Sequence, residues 1–88
     1  MKPFQKNPSI VCSELDDGAV LLNLDTKYYY ILNASGLRIW QLMDQCSSIE
    51  DMAMELVNEY VVDFEKVKSS VHRLLKEFKK HRLIVASR

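Results

Sequence analysis

The side chains of this 88-residue sequence that could do chemistry are mainly two cysteines, two histidines and a set of acids. Cys12 and Cys46 lie far apart without a CxxC motif, and neither is spaced from His72 or His81 as zinc ligands usually are. We therefore expect free, partly buried thiols that behave as small apolar residues. The spacing predicts no metal site and no cofactor.

Catalytic motifs are missing from the sequence as well. It contains no GxSxG, no HExxH and no glycine-rich phosphate loop, and only two glycines in all. Both histidines fall on a basic segment, which is typical of surface residues rather than a general base. Glu50, Asp51, Glu55 and Glu59 recur along the polar side of a predicted helix, as solvated charges do. We therefore predict that the chain is not an enzyme.

The charges are divided along the chain although they cancel overall. Residues 1–65 carry four basic and eleven acidic side chains, a net of −7, whereas residues 66–88 carry eight basic and one acidic, a net of +7. A basic surface on one element attracts anions, so nucleic acid and an acidic peptide are both candidate partners. A solvated, lysine-rich helix without any partner would have the same composition.

The length fits a single domain over residues 1–88. Residues 1–8 contain two prolines and little periodicity, which indicates a flexible arm. They also lack the apolar segment of a secretory signal. Elsewhere no apolar run approaches the roughly 18 residues that span a bilayer. We therefore expect a cytoplasmic protein with no membrane partner.

Three short strands and three helices are predicted in that order, which indicates an α+β fold. The strands alternate in hydrophobicity or are rich in branched and aromatic residues, and turns separate them at 16–18 and 25–27. They are predicted at Ser9–Leu15, Ala19–Leu24 and Lys27–Leu32. Tight turns make this an antiparallel meander, in which the third strand is an edge with unpaired N–H and C=O groups. Because neighbours in a strand face opposite sides, its three tyrosines cannot all close the core.

The helices follow from capping residues and apolar periodicity. The first begins after the N-cap Asn33 and runs to about Asp44, and the second runs from Ser48 to Tyr60. The third runs from near Asp63 to about His81, and the apolar segment 83–85 is expected to pack back on the domain.

The third helix has an apolar stripe with two different flanks. The stripe comprises Val67, Val71, Leu74 and Phe78. One flank is partly apolar, with Phe64 and Leu75 beside Lys68 and Lys79. The other flank is polar and comprises Lys66, Ser70, Arg73 and Glu77. A basic third helix after a short turn also fits a winged helix-turn-helix DNA-binding protein. Residues 83–88 are too few for its usual hairpin, however, and this helix lacks the Asn and Gln residues that often contact adenine. DNA binding therefore remains the alternative.

One extended pattern resembles a known family. Its pieces are Asp17-Gly18, Val20 to Asp25, Tyr29-Tyr30, Leu32-Asn33 and Gly36 to Trp40. Together they resemble the PqqD family, also called RiPP recognition elements, which bind the leader segments of ribosomally made, later modified peptides. The tyrosine-rich strand and the length are most similar to the stand-alone proteins of lasso-peptide biosynthesis. Lys27 departs from the glycine common in that turn, so either it adopts a positive φ at about 1 kcal/mol or the turn differs.

The resemblance implies a winged-helix-like fold in which a leader peptide adds as a strand to the third strand and lies against the third helix. Lys68, Lys79 and His72 would rim this cleft and attract acidic leader residues. The expected peptide-binding residues are Tyr28, Tyr29, Tyr30, Ile31, Leu32, Phe64, Lys68, Val71, His72, Leu75 and Lys79.

The resemblance also implies the partners. They are a precursor peptide and a separate modifying enzyme, such as a leader peptidase or a radical enzyme, in lasso-peptide-type or PQQ-type maturation. It implies no cofactor and no nucleic acid. The open strand edge would also permit a homodimer.

Overall fold

The computed structural model of the protein describes residues 4–46, 48–60 and 63–86. Its elements in chain order are β1 (Phe4–Lys6), β2 (Ile10–Leu15), β3 (Gly18–Asn23), β4 (Tyr29–Asn33), α1 (Ala34–Leu42), α2 (Ile49–Glu59), α3 (Phe64–Lys80) and β5 (Ile84–Ala86). A three-stranded antiparallel sheet in the order β2-β3-β4 precedes three helices. The predicted α+β fold is thereby confirmed.

The three-stranded sheet has one buried and one open face because side chains alternate along each strand. On β3, Ala19 and Leu21 are fully buried, and Leu21 lies opposite Tyr30 of β4. On β4, Leu32 is buried, whereas Tyr29 and Ile31 are 68% and 67% exposed. The inward face therefore belongs to the core, and the tyrosines divide between the two faces as strand geometry requires.

A turn stabilised by Asn23 joins β3 to β4. The buried Asn23 side chain accepts hydrogen bonds from the N–H groups of Asp25 at 2.9 Å and Thr26 at 3.2 Å. The N–H of Lys27 donates to the Asn23 carbonyl at 2.8 Å, and Lys27 has φ 68°. The first of the two sequence-based alternatives is therefore confirmed: a lysine occupies a left-handed position where glycine would be less strained.

The segment expected to be a flexible arm contains a strand, so that prediction was wrong for residues 4–6. β1 pairs antiparallel with β5, and Gln5 lies opposite Val85. Asn7 continues the contact, since its N–H donates to the Leu83 carbonyl at 3.0 Å and its side-chain amide to the Arg82 carbonyl at 2.8 Å. Leu83 itself is buried, which confirms that the segment after α3 packs back.

The core lies between the inner face of the sheet and the helices. Phe78 of α3 is fully buried at its centre, with edge-on ring contacts to Trp40 of α1 at 5.7 Å and to Tyr30 of β4 at 6.3 Å between centroids. The predicted N-caps are confirmed, because the Asn33 side chain accepts from Gly36 N at 2.8 Å and the Ser48 hydroxyl from Asp51 N at 3.1 Å. The ring contacts of Phe78 with Tyr30 and Trp40 fix α3 relative to β4 and α1.

The Arg38 guanidinium of α1 forms an ion pair with the Glu59 carboxylate at the end of α2. Its Nε also donates to Glu59 Oε1 at 2.8 Å. This hydrogen bonding, followed by the attraction between the charges, holds the pKa of Glu59 below its ordinary value. The pair ties α1 to α2.

Candidate functional site

The thiols and acids do not assemble into a chemical centre in the described ranges. Within them no three His, Cys, Asp or Glu side chains gather as metal ligands would, and no helix is long and apolar enough to cross a membrane. Cys12 is a free thiol, and Cys46 is a buried residue of the core. Burial, with a smaller contribution from the Glu14 carboxylate, raises the pKa of Cys12, which favours the neutral thiol over the nucleophilic thiolate.

The outer edge of β4 is open among the described residues, because β4 pairs only with β3. The Asn23 N–H donates to the Tyr28 carbonyl at 2.9 Å, which continues by one pair the register in which Leu22 lies opposite Tyr29. Since hydrogen-bonded and non-bonded pairs alternate in such a ladder, Tyr30 and Leu32 also face β3. The N–H and C=O groups of Tyr29 and Ile31 therefore point toward the open edge.

An apolar cavity of about 510 Å³ lies at the end of β4. Asn33 contributes from β4, Leu56 from α2, and Val67, Val71 and Leu74 from α3. Leu56 and Val71 are buried core residues, whereas Val67 and Leu74 are only half-buried. A peptide side chain placed here would cover their remaining apolar surface.

A second cavity, of about 280 Å³, lies at the start of β4. Tyr28, Tyr29 and Tyr30 line it from the strand, and His81 and its neighbours line it from the end of α3. The Tyr30 and His81 rings are 4.9 Å apart between centroids. The edge of β4 thus runs from one cavity to the other with α3 alongside. We call this surface the β4–α3 groove: residues 28–33 on one side and Val67, Leu74, Glu77 and His81 on the other.

The predicted strand residues lie along this groove. Tyr28 is 80% exposed, and Tyr29 and Ile31 point away from the core, whereas Tyr30 and Leu32 point inward. The backbone of the strand therefore offers the hydrogen-bonding edge, and Tyr30 contacts the end of α3 through the His81 ring.

The predicted helix residues divide differently. Val71 is fully buried and also lines the apolar cavity, but Leu75 is a core residue at 6% exposure. Phe64 is half-buried and Lys79 is exposed, and neither lines either groove cavity. The expectation that Leu75 forms a wall of the cleft is corrected, because its apolar flank packs into the core.

The predicted basic rim is also corrected. Lys68 Nζ lies 3.1 Å from Glu50 Oε2 of α2, and Lys68 and His72 line a separate surface cavity beside the start of α2. The structure does not bring them to the β4 edge. The other flank faces the groove, where Ser70 and Glu77 line the apolar cavity. The sequence pattern predicted the peptide-binding side of α3 on the flank with more apolar residues. That flank is apolar because it packs against α2 and the sheet, so it does not line the groove.

Comparison with known proteins agrees with this geometry. Residues 18–84 match the family described as Coenzyme PQQ synthesis protein D (PqqD). The chain belongs to the PqqD family. Among curated protein sequences, none matches it.

Two solved structures resemble this PqqD-family chain over nearly its whole length. TbiB1 in complex with the TbiA(beta) leader peptide has a TM-score of 0.86 and 30% identity, covering 100% of this chain and 99% of that chain. Lasso peptide synthetase B1 complexed with the leader peptide has a TM-score of 0.81 and 27% identity, covering 94% and 98%. The resemblance to the PqqD family, and to its stand-alone lasso-peptide type, is confirmed.

Proposed function

We propose that this protein binds the leader segment of a ribosomally synthesised precursor peptide by strand addition and presents it to a separate modifying enzyme. The observation that carries this proposal is the open edge of β4, where the N–H and C=O groups of Tyr29 and Ile31 face a groove beside α3. Both similar structures are complexes with a leader peptide, which supports the same role here.

The groove suits a peptide because it separates affinity from selectivity. Hydrogen bonds to the main chain of Tyr29 and Ile31 require no particular peptide side chain, so they supply affinity. The apolar cavity admits a side chain between Val67 and Leu74, and burying one such side chain contributes about 1.5–3 kcal/mol. Strand residues 28–32 and Val71 therefore remain proposed contact residues, now joined by Val67 and Leu74.

The chemistry of maturation belongs to a partner enzyme in this proposal. For a lasso-peptide system that partner is a leader peptidase, and this protein acts as a non-catalytic carrier of the peptide. The winged helix-turn-helix alternative gains no support from the comparisons, since both similar structures hold peptides rather than DNA. The open β4 edge would also let two copies pair, in competition with the leader.

Amide hydrogen exchange tests strand addition directly. The probe is the leader of a short precursor peptide encoded beside this protein's gene. Its binding is measured first by calorimetry, and we expect a dissociation constant of about 1 μM or lower. We expect new protection at the Tyr29 and Ile31 amides, because they face the open edge, whereas Tyr30 and Leu32 are already bonded to β3 in the free protein.

Two outcomes would contradict the proposal. A leader that binds while the Tyr29 and Ile31 amides stay unprotected docks elsewhere on the surface. Absence of leader binding together with tight, salt-sensitive binding of duplex DNA would favour the helix-turn-helix interpretation.

A further inference from the structure

The cavity at the start of β4 has a basic wall. Lys80, His81 and Arg82 line it from the end of α3, opposite Tyr28 and Tyr29. Within the described ranges neither Lys80 nor Arg82 forms an ion pair, whereas Lys6, Arg38 and Lys68 each pair with a carboxylate. His81 Nε2 lies 3.5 Å from the Glu77 carboxylate and so has a partner of its own. Two cations beside the open strand edge are thus available to an anionic group.

The backbone at Arg82 is left-handed at the position where α3 ends. The N–H of Leu83 donates to the Phe78 carbonyl at 2.8 Å and that of Arg82 to the Lys79 carbonyl at 3.1 Å, which is a Schellman motif. Its left-handed position is usually glycine, but here it is Arg82, at φ 59°. The Asn7 side chain holds the Arg82 carbonyl at 2.8 Å, so this conformation is fixed from outside the helix.

Lys27 shows the same feature on the strand side. It is the other described non-glycine residue with a positive φ, and its chain neighbours Thr26 and Tyr28 line the same cavity. Strained backbone that a sequence retains points to function when it lies beside a binding surface. Both left-handed positions therefore carry a cation, and both adjoin the start of β4.

Helix electrostatics explain only part of this arrangement. Cations in the last turn of α3 interact favourably with its dipole, which accounts for Lys79 and Lys80 without any ligand. That interaction needs neither a side chain at the left-handed Arg82 position nor a lysine in the β3–β4 turn.

The opposite end of the groove has a different character. The cavity at the end of β4 is apolar between Val67 and Leu74, and its two charged lining residues, Arg73 and Glu77, are opposite in sign. The groove is therefore apolar and nearly neutral at one end and basic at the other. A peptide lying along β4 meets both environments.

We propose that the β4–α3 groove selects an acidic peptide side chain at the start of β4 and an apolar one at its end. The inference rests on the proposed strand addition. Tyr29 and Asn33 mark the two ends, and four residues of extended chain span about 14 Å. Side chains on one face of a strand recur at every second residue, so the two selected positions are an even number apart, about four.

A peptide-display selection tests this without knowledge of the precursor. Random peptides long enough to span the groove are selected against the parent protein, a Lys80→Ala/Arg82→Gly double variant and a Lys68→Ala control. We expect the parent and the control to enrich an apolar residue and an acid about four positions apart. The double variant should keep the apolar preference and lose the acid.

The outcomes separate the two proposals. Enrichment of apolar residues without any acid preference in the parent overturns this inference and leaves strand addition intact. Failure to enrich any peptide overturns strand addition itself. If the double variant still enriches an acid, the acid is bound by another part of the surface, and the inference is overturned. The inference is also overturned if the selected peptides contain no acid and duplex DNA displaces them.

Arg82→Gly alone gives a second measurement. Glycine relieves the left-handed strain, so the melting temperature should rise. The dissociation constant of a peptide selected by the parent should increase about threefold, since an exposed ion pair is weak. A more stable variant with unchanged peptide affinity would show that Arg82 only terminates the helix, contrary to the proposal.

Discussion

Proline at Ile31 is the most direct challenge to strand addition, because it removes one donor from the open edge of β4. The Ile31 N–H points away from β3, so its loss breaks no hydrogen bond inside the sheet. Proline is tolerated at such outward-facing positions of an edge strand. The Ile31 side chain is 67% exposed on the outer face, so little packing is lost with it.

The expected loss follows from the two consequences of the missing donor. One backbone hydrogen bond has a net value of about 0.5–1.5 kcal/mol, and the peptide carbonyl left without a partner adds about 1–3 kcal/mol. Together these contributions amount to about 1.5–4.5 kcal/mol, so the dissociation constant for the leader should rise by roughly tenfold to a thousandfold, at 1.4 kcal/mol per tenfold.

Two matched variants control this experiment. Ile31→Ala keeps the N–H and removes most of the same side chain, so leader affinity should stay within about twofold. Tyr30→Pro removes a donor that faces β3 and should lower the free energy of unfolding by about 1–3 kcal/mol, because a carbonyl of β3 loses its partner. Calorimetry measures binding, and circular dichroism with thermal melting measures folding. If a folded Ile31→Pro variant binds leader as tightly as Ile31→Ala, the peptide is not paired with β4.

Three further predictions concern neighbouring features. Leu74→Ala should weaken leader binding about tenfold in calorimetry, because it removes apolar surface that lines the cavity at the end of β4. Leu75→Ala should instead lower the urea-derived free energy of unfolding by about 2–4 kcal/mol, because Leu75 is a core residue. Lys27→Gly should raise that free energy by about 1 kcal/mol. Arg38 lowers the pKa of Glu59 from its ordinary value of 4.5. The ion pair therefore stabilises the fold fully above pH 4.5, and this stabilisation is lost as the pH falls through the lowered pKa of Glu59. Stability of Glu59→Gln, followed by melting below pH 4.5, should therefore fall less steeply than that of the parent.

The elements built from nearby residues were predictable from sequence. Strand alternation around Leu21 and Leu32 and the capping residues Asn33 and Ser48 are local patterns, and the structure agrees with each. The positive φ of Lys27 was one of the two alternatives that the family resemblance left open for this turn, and the structure agrees with it. Such features depend on a few consecutive residues, so a single sequence carries their signal.

The missed features depend on residues far apart in the chain. β1 forms only because β5 lies beside it, and neither three-residue strand has a period that could indicate pairing. The groove-facing flank of α3 is fixed by the placement of α2, which occupies the flank that contains Lys68. An apolar stripe shows that a helix is buried on one side, but it does not show which neighbour covers which flank.

The pairing of β1 with β5 closes the chain on itself. Gln5 lies opposite Val85, so the two paired segments leave the domain side by side. A partner domain fused before β1 or after β5 would therefore start from almost the same point relative to the β4–α3 groove. The order of two fused genes should then matter less than linker length. A permuted chain that joins these segments through a short loop, and opens instead at the 16–17 turn, should keep the same groove.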